Sequence, residues 1–312
     1  MPRRRKGYLV TFQHLSRMYI ASFYHFKKIE ELEPAREFVE HLCSESGALG
    51  TVILASEGIN AALAHPNARV LESLVDRIQN FLTFSELKTT TSHAGTDSLP
   101  FDKLQVRVRR EIVTYGLPFD FTLPALPKAN PMEWKDLILD DDTVVLDVRN
   151  RYEHRIGRFR NSIQPNTNNF REFKDYLNQQ TEIDKDQNVA IYCTGGIRCE
   201  KAAQSMFKHG FKSVIQLDRG ILGYLQETKD SSVWEGECFV FDQRVAVDET
   251  LAEGTAEFCL ACGDPIAPEE KSSPLFEYGI SCSTCREALT PADRARRAER
   301  VRQLNLGQQR AA

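Results

Sequence analysis

No apolar run in the 312 residues reaches the roughly 18 positions that a membrane helix needs, so the sequence implies no membrane partner. The apolar segment of a secretory leader is also missing. Acidic residues are absent from Met1 to Ile29, where Arg3, Arg4, Arg5, Lys6, Arg17, Lys27 and Lys28 stand. That stretch reads as a basic extension over residues 1–18, disordered or touching RNA, with an organelle transit peptide as the other reading. No dinucleotide fingerprint and no His/carboxylate iron triad stand out, so NAD, flavin and haem are not indicated and no familiar oxygen-activating cofactor is visible. The net charge of -4 excludes a chain that is basic overall, and any nucleic-acid surface must be local.

What is present suits a globular chain of two or three cores, with 41% hydrophobic and 27% charged residues. Eight cysteines without a leader point to a reducing compartment, the cytoplasm, and to thiol or metal chemistry before disulfides. From about residue 19 to 116 the order reads β-α-β-β-α-β, a ferredoxin-like (acylphosphatase-like) α+β sandwich. It has a tight turn at Glu57-Gly58-Ile59-Asn60 and a final alternating strand, Leu104–Val113. That strand exposes Arg107, Arg109 and Arg110, either a solvated face or an RNA contact. Four prolines in GLPFDFTLPALPKANP make residues 117–129 a linker. Asn130 and Pro131 then cap a helix that opens a second domain over residues 130–233. There TVVLDVR, NVAIYC and SVIQLD alternate with helical runs, which implies an α/β domain with a parallel sheet. The rest, residues 234–312, is a cysteine-rich segment ending in a basic helix that carries Arg294, Arg296 and Arg297, either solvated or in contact with RNA.

The stretch YCTGGIRCEKA, Tyr192 to Ala202, puts a thiol where a strand ends and a helix begins. Ligands of parallel sheets collect at such strand ends. A loop of Cys193, Thr194, Gly195, Gly196, Ile197 and Arg198 can turn its amides inward, with both glycines permitting the unusual angles. Amides and helix dipole lower the pKa of a thiol held there, making Cys193 a nucleophile, and Arg198 can donate to an anion above it. Four residues separate Cys193 from Arg198, against five in cysteine phosphatases, so the ring suits a single sulfur or a similarly small group. This loop resembles the rhodanese active loop. LDVRNRYEHRIGRF, Leu146 to Phe159, resembles that family's Asp-x-Arg strand with a downstream Glu, departing from it at IGRF. Asp147 would orient loop amides and Arg149 would pair with Glu153, all three as structural support more than as catalysts. Cys199 stands where most rhodaneses have a small hydroxyl residue, either a second redox thiol or a buried filler.

Cys259, Cys262, Cys282 and Cys285 form two C-x2-C knuckles nineteen residues apart. Two such knuckles complete a tetrahedral S4 site with no open position, so a structural Zn2+ is indicated, with disulfides or an Fe–S cluster as the alternatives. Taken together, SEGIN, YCTGGIRCEKA, IQPNTNNFREF, WEGECFVFDQRVAV and the paired knuckles resemble the bacterial tRNA uridine hydroxylases, the UPF0176 (TrhO) rhodanese-domain family, over about Tyr19 to Leu289. The resemblance implies oxygen-dependent conversion of the wobble uridine (position 34) of tRNA to 5-hydroxyuridine, a monooxygenase activity with O2 as co-substrate. It also implies Cys193 as the active cysteine, drawn as a persulfide intermediate, and an anticodon stem-loop as partner. Tyr192 and Phe170 are candidates to stack on an unpaired base or to be core. The competing reading is a sulfurtransferase that passes persulfide sulfur from Cys193 to an acceptor.

Overall fold

The computed structural model describes residues 17–95, 99–228 and 232–311. The basic extension expected over residues 1–18 lies outside them, apart from Arg17 and a buried Met18 that already opens the first strand. In the N-terminal part, β1 (Met18–Phe26), α1 (Leu32–Ser46), β2 (Leu49–Ala55), β3 (Gly58–His65), α2 (Ala68–Phe81) and β4 (Thr89–Ala94) follow in the order β-α-β-β-α-β. The sheet runs β4-β1-β3-β2, with β5 (Leu104–Val108) added in parallel beside β2. The ferredoxin-like sandwich is therefore present, with two corrections. Its closing strand is Thr89–Ala94 and not the Leu104–Val113 stretch, which is a fifth, edge strand ending at Val108.

The reason lies in the composition of β4. TTTSHA looks like loop, yet threonine is stiff and β-branched, and Thr90, Ser92 and Ala94 turn inward at period two. The tight turn is also displaced: Ser56 and Glu57 make it, and Ile59 and Asn60 already belong to β3. Gly58 opens that strand at φ +145, where a Cβ would stand 2.0 Å from the His25 carbonyl oxygen. Both helices pack their apolar faces on one side of the sheet, burying Val39, Leu42, Leu74 and Ile78 against Val52, Leu54, Ala61 and Leu63.

The second part begins at β6 (Lys128–Ala129) and α3 (Pro131–Leu139), whose capping box pairs Asn130 with Glu133. It continues through β7 (Thr143–Asp147), α4 (Arg151–His154), β8 (Gly157–Phe159), α5 (Phe173–Gln179), β9 (Asn188–Tyr192), α6 (Ile197–Lys208), β10 (Ser213–Leu217) and α7 (Gly220–Thr228). The parallel sheet has the order β6-β10-β9-β7. Apolar cores lie on both faces, one built on Trp134, Phe159, Ile221 and Tyr224 and the other on Phe173, Leu177, Ala202 and Met206. Buried on both sides, its strands read as near-continuous apolar runs, which is why they were legible.

Three small ribbons follow: β11 (Trp234–Gly236) on β8, β12 (Cys238–Phe239) with β13 (Ala246–Val247), and β14 (Glu257–Phe258) with β15 (Pro265–Ile266). Trp234, Cys238, Val240 and Val247 complete the apolar core beneath α3 and α7. The chain ends in α8 (Pro291–Ala311), opened by the Thr290 hydroxyl accepting from the Asp293 N–H at 3.1 Å. Among the described residues, no helix is long and apolar enough to cross a membrane.

Candidate active site and metal centre

Cys193 directly follows β9, and α6 starts four residues later. The Gly196 N–H donates to the Cys193 sulfur at 3.1 Å. Only Gly196 takes a left-handed angle, φ +94; Gly195 does not, and its role differs from the expected one. The space a side chain would occupy at Gly195 is open, so the backbone there is approachable. The start of α7 seals the loop from below. Ile221 and Leu222 N–H groups donate to the carbonyls of Cys193 and Thr194, both at 3.0 Å. A Cβ on Gly220 would stand 2.3 Å from the Cys193 oxygen, so this close approach needs glycine.

Burial pushes the Cys193 thiol up, but the Cys199 thiol, the Arg198 charge and the Cys199 and Arg198 backbone amides outweigh it and bring the pKa down to about 6. Cys199, also fully buried, is pushed well above its ordinary value by burial and by its thiolate neighbour. It is thus the protonated donor of the pair. The sulfur of Cys193 has zero exposure, so a substrate reaches it only when its cover moves.

The ion pairing differs from expectation. Arg198 does not stand free above the sulfur: it makes a two-pronged pair with Glu153, at 2.6 and 2.7 Å, and donates to the Thr194 hydroxyl at 3.1 Å. Arg149 does not pair with Glu153. It is clamped by Asp147 (2.7 Å), donates to the Gly157 carbonyl (2.6 Å), and lies near the Tyr192 and Trp234 rings. Burial works against Asp147, yet Arg149 and His154 hold it well below the usual carboxylate range. Asp147 accepts from the Arg149 N–H and so orders its own loop, not the thiol loop. Tyr192 and Phe170 are core: the Tyr192 hydroxyl donates to Ser162 inside the domain, and Phe170 packs on Tyr115.

Several residues near the loop were missed because only the fold brings them there. Tyr24 of β1 donates to Glu200 at 3.1 Å, and a Cβ at Gly196 would come within 2.8 Å of its hydroxyl. Lys201 is 2% exposed and bridges Glu57 (2.8 Å) and Glu111 (2.7 Å), tying the SEGIN turn to the thiol helix across the domain junction. Phe241, 65% exposed, covers the Arg198 guanidinium at 5.6 Å.

The four knuckle cysteines converge, with all four sulfurs within 4.8 Å of one another. Tetrahedral thiolate ligands at about 2.3 Å from an ion stand about 3.8 Å apart; Cys262–Cys282 and Cys282–Cys285 are at 3.7 and 3.9 Å. The donor set fits one tetrahedral ion with no open position. Helix α8 serves this unit: Arg297 donates to the Ile280 carbonyl and to the Cys285 sulfur, and Arg294 pairs with Glu277 at 2.7 Å. Arg296 points elsewhere, to Asp293 at 2.6 Å. Arg107, Arg109 and Arg110 are exposed, the last two beyond the end of β5. Arg155, just past α4, joins Glu270 (2.8 Å) and Asp264 (3.4 Å), and so links the thiol domain to the knuckles.

A thiol loop at the carboxyl edge of a parallel sheet, closed by an arginine after four residues, defines the second part as a rhodanese-type domain. Residues 130–227 match the rhodanese-like domain, and residues 18–112 match the UPF0176 acylphosphatase like domain. A tRNA uridine(34) hydroxylase of Brucella anthropi is 42% identical over 295 residues, covering 94% of this chain and 96% of the relative. Another, of Rhizobium leguminosarum bv. trifolii, is 41% identical over 299 residues, covering 95% and 96%. A solved rhodanese-like domain from Anabaena sp. shares 18% identity at a TM-score of 0.31, over 36% of this chain and 80% of that one. The chain belongs to the tRNA uridine(34) hydroxylase family, UPF0176 rhodanese-domain proteins.

Proposed function

We propose that this protein hydroxylates the wobble uridine of tRNA to 5-hydroxyuridine, with O2 as co-substrate and Cys193 as the reacting group. The observation that carries the reading is the Cys193 sulfur held by the Gly196 N–H at a strand end, in a chain that shares 42% identity with tRNA uridine(34) hydroxylases. A thiolate that adds to C6 of uracil makes C5 electron-rich, and C5 then takes one oxygen atom from O2. Two electrons from an external reductant of the thiol class and two protons turn the other oxygen into water, and loss of a proton from C5 expels the thiolate. The other route passes through the sulfenic acid: O2 and two electrons from the same reductant convert the Cys193 thiol to S–OH with release of water, and the S–OH oxygen replaces the C5 hydrogen as the thiol is regenerated. Glu153 and Thr194 hold Arg198 across the loop, so Arg198 acts by fixing loop shape and by its charge.

The knuckle ion is Zn2+ in this reading, held by Cys259, Cys262, Cys282 and Cys285, where it supplies folding and no chemistry. Arg107, Arg109, Arg110 and Arg296 are the phosphate contacts for an anticodon stem-loop, with Arg294 and Arg297 assigned to holding α8.

The test is nucleoside analysis of unmodified tRNA incubated with wild type and Cys193→Ala, under air and under argon. 5-Hydroxyuridine from the wild type under air alone supports the reading. Thiolated nucleosides instead would select sulfur transfer from a persulfide, the activity that a rhodanese-type loop also suits.

A further inference from the structure

A cavity of about 410 Å³ opens between the N-terminal sheet and the carboxyl edge of the rhodanese sheet. Asp218 and Arg219, at the end of β10, form one side, and Tyr24, His25 and Phe26 of β1 form another. The crevice outside the strand ends is where open parallel sheets take their ligands. Tyr24 links it to the thiol loop: its phenol lines the cavity and lies against Gly196, whose N–H holds the Cys193 sulfur.

Its walls have the chemistry of a base-binding pocket. Phe26 and Phe119 stack at 4.2 Å, and Phe121 meets Phe119 edge-on at 4.9 Å with 38% of its surface exposed. The Lys28 ammonium stands 5.8 Å over the Phe121 ring, and Lys88, half exposed, lies at the rim beside Asp218. Aromatic faces beside cations are what unpaired nucleotides stack on and are neutralised by. His25 also lines the space, packed on Phe84 at 4.7 Å, and its ring nitrogens have no hydrogen-bond partner among the described residues. Burial and the nearby Lys27 and Lys128 charges, opposed by Glu200, lower its pKa, so it faces the cavity as a neutral imidazole.

We propose that this interdomain crevice is the subsite for the target pyrimidine nucleotide, flipped out of its loop, stacked on Phe121 and hydrogen-bonded by His25. Tyr24 is the wall that moves to let the base meet the thiolate. The inference rests on the reading that the chain acts on an unpaired uridine of tRNA, and it adds where that base binds.

Two anticodon-stem hairpins, one with the fluorescent pyrimidine pyrrolocytosine at the target position and one abasic there, are titrated into full-length Cys193→Ala protein. The expected result is quenching of the fluorophore and binding at least about fivefold tighter than for the abasic hairpin, the range of one stacked base. Adding Phe121→Ala or His25→Ala should reduce that difference to under about twofold, with unchanged thermal melting. A base-dependent difference that persists in both variants, or no hairpin binding at all, overturns the subsite. If wild-type protein makes no 5-hydroxyuridine on a third hairpin, with uridine at the target position, while the base-dependent difference is present and sensitive to Phe121, the chemical reading fails and the subsite stands.

Discussion

Cys193 sits among apolar side chains of a large core, under amides already aimed at its sulfur, whereas at the knuckles Cys259 and Cys282 are buried with Ile266 in a small cluster and Cys262 is exposed. In the first place, the fold stabilises a sulfur anion with no metal, using a helix start, a neighbouring thiol and a charged guanidinium. In the second, four sulfurs brought within 4.8 Å would repel one another as thiolates, and a cation resolves that repulsion. The two regions differ in the source of the positive potential: the protein supplies it at Cys193, and at the knuckles four converging sulfurs leave it to a cation that they could hold.

That contrast can be broken first at the knuckles. The protein should carry about one zinc ion per chain by elemental analysis. Removing it should release about 10 kcal/mol or more of local stabilisation, read as rapid amide exchange over residues 257–300 with the β6-β10-β9-β7 sheet still protected. A metal-free preparation with the same exchange pattern would equate the two regions. Next comes Cys193→Ala, for which 5-hydroxyuridine formation should fall by about a thousandfold or more while thermal melting changes by only a few degrees. Glu153→Gln leaves Arg198 buried and unpaired, and should cost about 3–5 kcal/mol in denaturant unfolding.

The smallest effects are those of protons. Activity should fall as the pH drops through about 6, because the proposed reaction uses the Cys193 thiolate, which is lost below its pKa. Cys199→Ala removes a donor to that thiolate and should move the acid limb upward by roughly half to one unit, whereas Cys199→Ser keeps a donor and should move it less. An unmoved limb in both would return Cys199 to the role of filler.

How much was legible follows from distance along the chain. The thiol loop, the knuckles and the capped helix at Asn130 each lie within a few consecutive residues, so spacing alone exposed them. The partner of Arg198 did not show, because Glu153 is 45 residues away and Arg149 lies four from it; the fold chose the distant one. Lys201 reads as a solvated helix residue until Glu57, from the other domain, closes over it. Strand β4 was hidden by its threonines, and Tyr24 by its place in a strand that otherwise looked like ordinary core. Arg294 and Arg297 read as a solvated surface or an RNA contact, and their partners, Glu277 and the Ile280 carbonyl with the Cys285 sulfur, come into view only once the knuckles are folded against α8.

The start of α7 has a consequence for the thiol ring. Because the Ile221 and Leu222 amides grip the oxygens of residues 193 and 194, turning either peptide plane would break one of these bonds and orphan an amide of the first turn of α7. The strand end of the ring is thereby braced by a second helix, so its first two residues belong to the scaffold rather than to whatever the sulfur meets.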